Sequence, residues 1–526
     1  MSQVPPSAEV VIIGGGHNGL AAAAYLARAG YDTVVLERED HVGGAAISAE
    51  AFAGLDARLS RYSYLVSLMP QSLRDDLGLN FSLIRRRYSS YTPVPGTDTG
   101  LLIDAEDAER TKASFEAIGA ADDYSRWVDF YHDTEVVAKS LFPTLTDPLL
   151  TESEVRTLLE LAAPGSRLFE RFIETPITQL VEQTFRSDIV RGVVLTDALI
   201  GTFPEFDEDP RLGACFLYHV IGGGTGDWDV PVGGMGAVSG SLERSALEAG
   251  ARIVTGATVT AVSGTTVSGV VGDEEFSLSS RLVVSGLART TLAALVGDTA
   301  GIEPIEGAQV KVNLLLERLP QLKDTSVSPE AAFGGTFHIN ESASQLAHSI
   351  NQARAGSIPD TIPCEIYCHS LSDRSILGGS LRESTAQTLT VFALNVPHRL
   401  TEGSDPDVLR RSLQEAVLAS LDSVLAEPIT DCVMRDAHGE LCIETKTTAD
   451  LEDSLGLPGG NIFHEPLTWP FVPDGTPLET PAQRWGVDSG YPGIVIAGAS
   501  ARRGGGVSGI GGHNAAMAAM EMLAGI

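Results

Sequence analysis

Two glycine-rich stretches, one near each end of the chain, hold the residues best suited to chemistry. Near the start, "VVIIGGGHNGLAAAAYLARAGYDTVVLE" sets Gly14, Gly16 and Gly19 in a G-x-G-x-x-G pattern. Near the end, "GASARRGGGVSGIGGHNAA" (498–516) carries seven glycines in nineteen residues. Glycine is unfavourable in regular elements unless backbone must come close to something. Bare backbone at the start of a helix presents free N–H groups and a positive dipole end, which suit a phosphate. The chemistry implied is the grip on a dinucleotide.

The elements that must position these glycines can be read around them. Val10–Ile13 is a short apolar run of the kind that forms a buried parallel strand. His17–Ala29 is alanine-rich and predicts a helix, which Gly30 ends. Thr33–Leu36 predicts a second strand, closed by Glu37. The result is a βαβ unit with a dinucleotide fingerprint. Gly14 makes the tight turn, Gly16 lets backbone approach a pyrophosphate, and Gly19 lets helix and sheet pack closely. His17 and Asn18 open the helix beside the phosphates. Glu37, eighteen residues after Gly19, is placed to accept hydrogen bonds from ribose hydroxyls. At the other end "GIVIAGAS" (493–500) predicts a strand. Glycines then lead from it into a helix through "AMAAMEML". The chain thereby returns to hold the other half of the same ligand.

After Glu37-Arg38 the sequence runs on to Gly43-Gly44-Ala45, an E-x5-GG arrangement. Here it resembles the flavoproteins with two dinucleotide-binding domains. It is similar in particular to the phytoene desaturase-related branch named for a pyridine nucleotide-disulfide oxidoreductase domain. The resemblance runs through "SRYSYLVSLMP" (60–70), "TDALIGTF" (196–203), "DWDVPVGGMGAVSGSL" (227–242), "GNIFHEPL" (460–467) and "GGGVSGIGGHNAA" (504–516). It implies an α/β fold: a discontinuous Rossmann-like FAD-binding domain with an inserted mixed α+β substrate domain, amine oxidase- and phytoene desaturase-like. It implies FAD as cofactor, held by Gly14, Gly16, His17, Asn18, Gly19, Glu37, Arg38, Gly43, Gly44 and Ala45. Val259 would pair its backbone with the adenine. Gly498, Ala499, Gly506, Val507, Ser508 and Gly509 would complete the cradle. Arg502, Arg503 and His513 depart from the pattern of the relatives and are expected close to the flavin edge.

On this reading the cofactor domain takes residues 1–95, 230–305 and 485–526. A helical substrate segment (96–229) and a mixed substrate domain (306–484) are inserted between them. Substrate lies between the insertions and the flavin ring in such folds. Tyr62, Trp228 and Met235 are candidates for its pocket, and His464 for an acid/base or substrate contact. Each has a structural alternative: core packing for Tyr62 and Met235, a turn cap for Trp228, a hydrogen-bonded histidine for His464. The resemblance implies an FAD-dependent oxidoreductase. It would desaturate a mainly apolar small molecule by hydride transfer to flavin N5, with electrons leaving to oxygen, a quinone or another carrier. A flavin amine oxidase and a non-catalytic FAD-containing protein are the alternatives.

Composition narrows the remaining classes. Lys+Arg is 36 and Asp+Glu 69, a formal charge of −33 over 526 residues. Such a surface repels phosphate backbones, so nucleic acid is not expected as a partner. It also opposes electrostatic attachment to a membrane, leaving only a weak peripheral contact through an apolar access route. The five cysteines are odd in number, without zinc spacing and without the CxxxxC of the disulfide reductases. No metal site is read from the sequence. The scattered thiols and the lack of a basic apolar leader suggest a cytoplasmic protein. A second G-x-G-x-x-G is absent, so no second nucleotide site is expected. The sequence leaves the oligomeric state open.

Overall fold

The computed structural model describes residues 4–298, 304–403 and 405–525. Its organising unit is a five-stranded parallel sheet. The strands run in the order Ile494–Ile496, Leu282–Ser285, Val10–Ile13, Thr33–Leu36 and Arg252–Val254. The order places the first strand at the centre, with the strand from the last stretch of the chain one position away, beyond Leu282–Ser285. Val10 pairs with Thr33 on one side and Leu282 on the other. The central strands are buried residue for residue, as expected of a parallel sheet covered on both faces. The helix His17–Arg28 follows the first strand and packs between two others, Met235–Glu248 and Ile510–Ala524. A three-stranded antiparallel meander, Ala257–Ser263, Thr266–Val271 and Glu274–Ser279, leads into the strand Leu282–Ser285.

The second body is a seven-stranded mixed sheet. Its order is Ile443–Lys446, Gln309–Leu316, Gln387–Leu394, Cys364–Tyr367, Thr336–Ile339, Tyr88–Pro93 and Gly100–Asp104. Six helices between Ala108 and Val220 form the helical segment, the longest being Ala121–Leu141. The helix Pro406–Asp422 lies on the side of the sheet away from that segment, within the sheet's own apolar core. Asp405 caps it by accepting from the amides of Asp407 and Val408.

One expected boundary moves. Tyr88–Pro93 falls inside the stretch 1–95 but hydrogen-bonds into the seven-stranded sheet. Its residues Ser90–Thr92 are buried, and it pairs with Thr336–Ile339 on one side and Gly100–Asp104 on the other. The first nucleotide-binding stretch therefore ends before Tyr88. Among the described residues no helix is long and apolar enough to cross a membrane.

Candidate functional site

The two glycine stretches meet. Gly14 takes φ +97°, the positive backbone angle that a tight turn needs here. A Cβ on Gly19 would lie 2.1 Å from the Gly14 carbonyl oxygen, so only glycine lets the helix start against the turn. A Cβ on Gly16 meets nothing within 4 Å. The space in front of Gly16 is thus open where a pyrophosphate is expected. The Gly43 amide donates to the Gly15 carbonyl at 2.9 Å, bringing Gly44 against Gly16. From the far end of the chain, the Gly506 carbonyl oxygen lies 3.0 Å from His17 Nε2, and Asn18 Nδ2 donates to the Gly504 carbonyl at 3.3 Å. Gly512 packs so closely on Asn18 that a Cβ would fall 2.0 Å from the Asn18 carbonyl oxygen. Gly498 packs against Gly286, where a Cβ would fall 2.5 Å from the Gly286 carbonyl oxygen, beside the end of the first strand. The hydroxyl of Ser508 accepts from the Ile510 amide at the start of the last helix.

Other expected cofactor residues are placed as follows. Glu37 accepts from the Gly15 amide at 2.7 Å and from the Glu39 amide at 2.9 Å. Its carboxylate is thereby fixed at the end of the second strand with lone pairs to spare. Val259 lies at a β-bulge in the meander, two residues beyond Ala257, whose amide donates to the Glu37 carbonyl. The Ala45 carbonyl accepts from both the amide and the hydroxyl of Ser63, coupling the Gly43–Gly44 loop to the 60–64 stretch. Val507 is almost fully buried in the nucleotide-domain core, and Ala499 is half-buried in the turn after the last strand. Arg38 turns outward, pairing with Glu39 and donating to the Ser454 carbonyl.

The cradle fits FAD on its own geometry. It offers open backbone at Gly16, an anchored acid at Glu37 and two buried polar atoms without partners, Asn18 Oδ1 and His464 Nδ1. A buried polar atom without a partner is costly unless a ligand satisfies it. His464 has φ +64° and sits where "GNIFHEPL" packs on the last glycine loop. Phe463 and Leu467 of that stretch flank Gly505. Burial, helped by the neighbouring His17, pulls the His464 imidazole down to about 4. Burial likewise pulls His17 to about 4. Both rings are neutral near pH 7.

A row of unusual residues crosses one face of the seven-stranded sheet. Lys311 is directly opposite Phe392, Phe392 opposite Glu365, and Glu365 opposite His338. Residues opposed in this way project from the same face. Lys311 is 4% exposed, and its ammonium donates to the Ser60 carbonyl at 2.7 Å and the Tyr62 carbonyl at 2.5 Å. Burial holds it well below the usual lysine range. It also lies 4.9 Å over the ring of Tyr64. Tyr64 packs on Tyr367 with centroids 4.6 Å apart, and His369 and Phe392 flank Tyr64 at 6.1 Å. Arg86 covers the Tyr367 ring at 5.7 Å.

The pocket candidates divide against this row. Trp228 stacks on His219 at 5.5 Å, donates to the His219 carbonyl and packs beside Tyr367. Tyr62 contributes its carbonyl to Lys311, while Tyr64, two residues on, supplies the ring. Met235 is corrected: at 0% exposure it packs inside the nucleotide-domain core, because it opens a helix buried against the first one. Arg503 and His513 make packing contacts. Arg503 is 2% exposed, and its guanidinium ties together the carbonyls of Thr144, Asp147 and Trp485. Burial draws it down to about 10. Arg502 donates to the carbonyls of Trp469 and Phe471. His513 packs edge-on against Tyr25 and Trp485. These three are braces in the packing around the last helix. Sequence reading passed over Lys311, His338 and Glu365. The available signal was an ionisable residue inside a largely apolar strand, as with Lys311 in "QVKVNLLL" and His338 in "TFHI".

All five cysteines are buried and free. Burial pushes the thiols of Cys215 and Cys368 up to about 12. Such thiols are unreactive, which agrees with the lack of a disulfide-reductase motif.

Comparison with known proteins accords with this geometry. Residues 12–75 match the NAD(P)-binding Rossmann-like domain. A Mycobacterium tuberculosis protein, itself uncharacterized, is 49% identical over 98% of this chain and 97% of its own. Pyridine nucleotide-disulfide oxidoreductase domain-containing protein 2 of Rattus norvegicus is 30% identical over 97% of this chain and 93% of its own. Among solved structures, cyclohexylamine oxidase from Brevibacterium oxydans superposes with a TM-score of 0.53 at 15% identity, covering 99% of this chain and 100% of that one. This last likeness is one of fold. The chain belongs to the pyridine nucleotide-disulfide oxidoreductase domain-containing proteins, dinucleotide-binding oxidoreductases with the amine oxidase-like fold.

Proposed function

We propose that the chain is an FAD-dependent oxidoreductase that desaturates a mainly apolar small molecule. The observation that carries this reading is the closure of both chain ends on one open glycine cradle, with His17 bridging to Gly506. When bound, FAD supplies the redox chemistry by accepting a hydride, and electrons leave to oxygen, a quinone or another acceptor.

The chain's own residues bind, orient and exclude water. Gly16, the start of the first helix and Glu37 hold the nucleotide through amides and one carboxylate. Lys311 pins the 60–62 backbone, which fixes Tyr64 over the sheet face. Tyr64, Tyr367, Phe392 and Trp228 give that face an apolar, aromatic surface. His464, neutral with a free Nδ1, is available to take a proton from an acidified carbon. An amine substrate is less well served. The cation-binding faces of Tyr64 and Tyr367 are already covered by Lys311 and Arg86, which occupy the positions an ammonium group would take.

The test is anaerobic mixing of the purified yellow protein with panels of desaturable apolar compounds and of amines. Bleaching of the flavin by the first panel and not the second supports the reading. Bleaching by amines alone overturns it in favour of an amine oxidase. No bleaching by either makes the FAD structural.

A further inference from the structure

We propose that His338, Glu341 and Glu365 form a binding site for one divalent first-row transition-metal ion, separate from the dinucleotide cradle. The site is built by strand register and one turn. His338 and Glu365 are direct cross-strand partners on neighbouring strands, so their side chains stand on one face. Asn340 then takes φ +60°, which swings the chain back, and Glu341 brings its carboxylate to 3.8 Å from His338 Nδ1. One donor atom from each of the three residues lies within 4.8 Å of the others. Ligands on one ion, at about 2.0–2.2 Å each, stand up to about 4 Å apart, so a small inward shift closes the set.

The state of Glu341 points to a ligand. It is 0% exposed, and neither of its carboxylate oxygens has a hydrogen-bond partner. Glu365 is 1% exposed and His338 5%. Among the described residues, no Lys or Arg forms an ion pair with Glu341 or Glu365. Arg86 acts on Glu365 electrostatically, but it donates to the Trp228 carbonyl and the Thr336 hydroxyl and forms no ion pair with either carboxylate. Two buried carboxylates without a paired cation are costly.

Neighbouring hydroxyls orient the Glu365 carboxylate. The Thr196 hydroxyl donates to Glu365 Oε1 at 2.8 Å and the Tyr367 hydroxyl donates to Oε2. Such outer partners fix the ligand rotamer. Thr92 Oγ1 lies 3.2 Å from His338 Nδ1, a contact that the ion would replace. The donors are so enclosed that a lone ion suits them better than the ammonium of an organic substrate. One imidazole nitrogen and two carboxylate oxygens suit Mn2+, Fe2+ or Zn2+. The ion would tie two strands to the start of the helix Ala343–Arg354 and offset the negative charge behind Tyr367.

The experiment uses the full chain with its FAD. It is dialysed against a chelator, incubated separately with Zn2+ and Mn2+, desalted and analysed for bound metal. Uptake of about one ion per chain is expected, with a metal-dependent rise in melting temperature. Glu341→Gln should weaken uptake at least tenfold while flavin absorbance persists. Should that variant fail to fold, His338→Gln is read in the same way. Negligible uptake of both metals by the parent protein overturns the proposal, as does uptake by Glu341→Gln equal to the parent's.

Discussion

His17 Nε2 sits 3.0 Å from the carbonyl oxygen of Gly506, joining residues 489 positions apart. The contact ties the start of the first helix to the loop that feeds the last one. Any ligand seated on the first glycine motif therefore touches both ends of the chain. This is why so flexible a sequence can stand near a terminus without fraying: it is packed between the first helix and the central sheet.

The first prediction separates ligand from fold within a single motif. Gly16 has ordinary φ, and its Cβ position is empty, so Gly16→Ala should fold with stability within about 1 kcal/mol of the parent. It should lose FAD affinity roughly tenfold or more, about 1.4 kcal/mol of binding. Gly19→Ala places a methyl 2.1 Å from a carbonyl oxygen and should be poorly folded even with excess FAD. Flavin content and melting temperature of the two variants check this.

Arg503 is a brace. Arg503→Met removes the donor shared by three buried carbonyls and should cost roughly 3 kcal/mol. Melting temperature should fall accordingly, while the substrate-driven reduction rate of the folded fraction stays near the parent's. A large rate loss in a stable variant would put Arg503 back beside the flavin.

His464→Gln should retain FAD and slow substrate-driven reduction by roughly 10²-fold if the imidazole takes the substrate proton. Unchanged reduction kinetics in a flavin-loaded variant would leave His464 with a packing role only.

Stability should depend on pH through His17 and His464. Both are held near 4 in the folded chain against an unfolded value of 6.5. Between these values the unfolded state binds more protons, so stability is complete above about pH 6.5 and falls as pH drops toward 4. Melting temperature and flavin retention followed over that interval should decline together. Replacing both histidines with Gln should flatten the slope.

The nucleotide-binding half of the fold was legible because its signals are local. A buried strand, three spaced glycines, an alanine-rich helix and a terminal acid lie within Val10–Glu37, and each constrains its neighbours. Glu37 and Gly19 could be assigned roles from spacing alone. The sheet face was not legible, because it depends on register between distant strands. Nothing local says that Lys311 stands opposite Phe392 or that His338 stands opposite Glu365. Tyr62 and Tyr64 illustrate the same limit: alternation tells that they share a face, but only Lys311, reaching from another strand, decides which one gives a carbonyl and which a ring. Met235 shows a related limit: nothing local says that its side chain turns into the core of the nucleotide domain.

The central claim is that one extended nucleotide spans both glycine stretches. It is tested most directly by measuring the flavin bound to the purified parent chain and to Gly16→Ala, with release and identification of the cofactor. The account predicts stoichiometric FAD in the parent and a folded Gly16→Ala protein that binds FAD at least roughly tenfold more weakly. A parent that carries no FAD under saturating supply, or a Gly16→Ala protein that binds FAD as tightly as the parent, would contradict it.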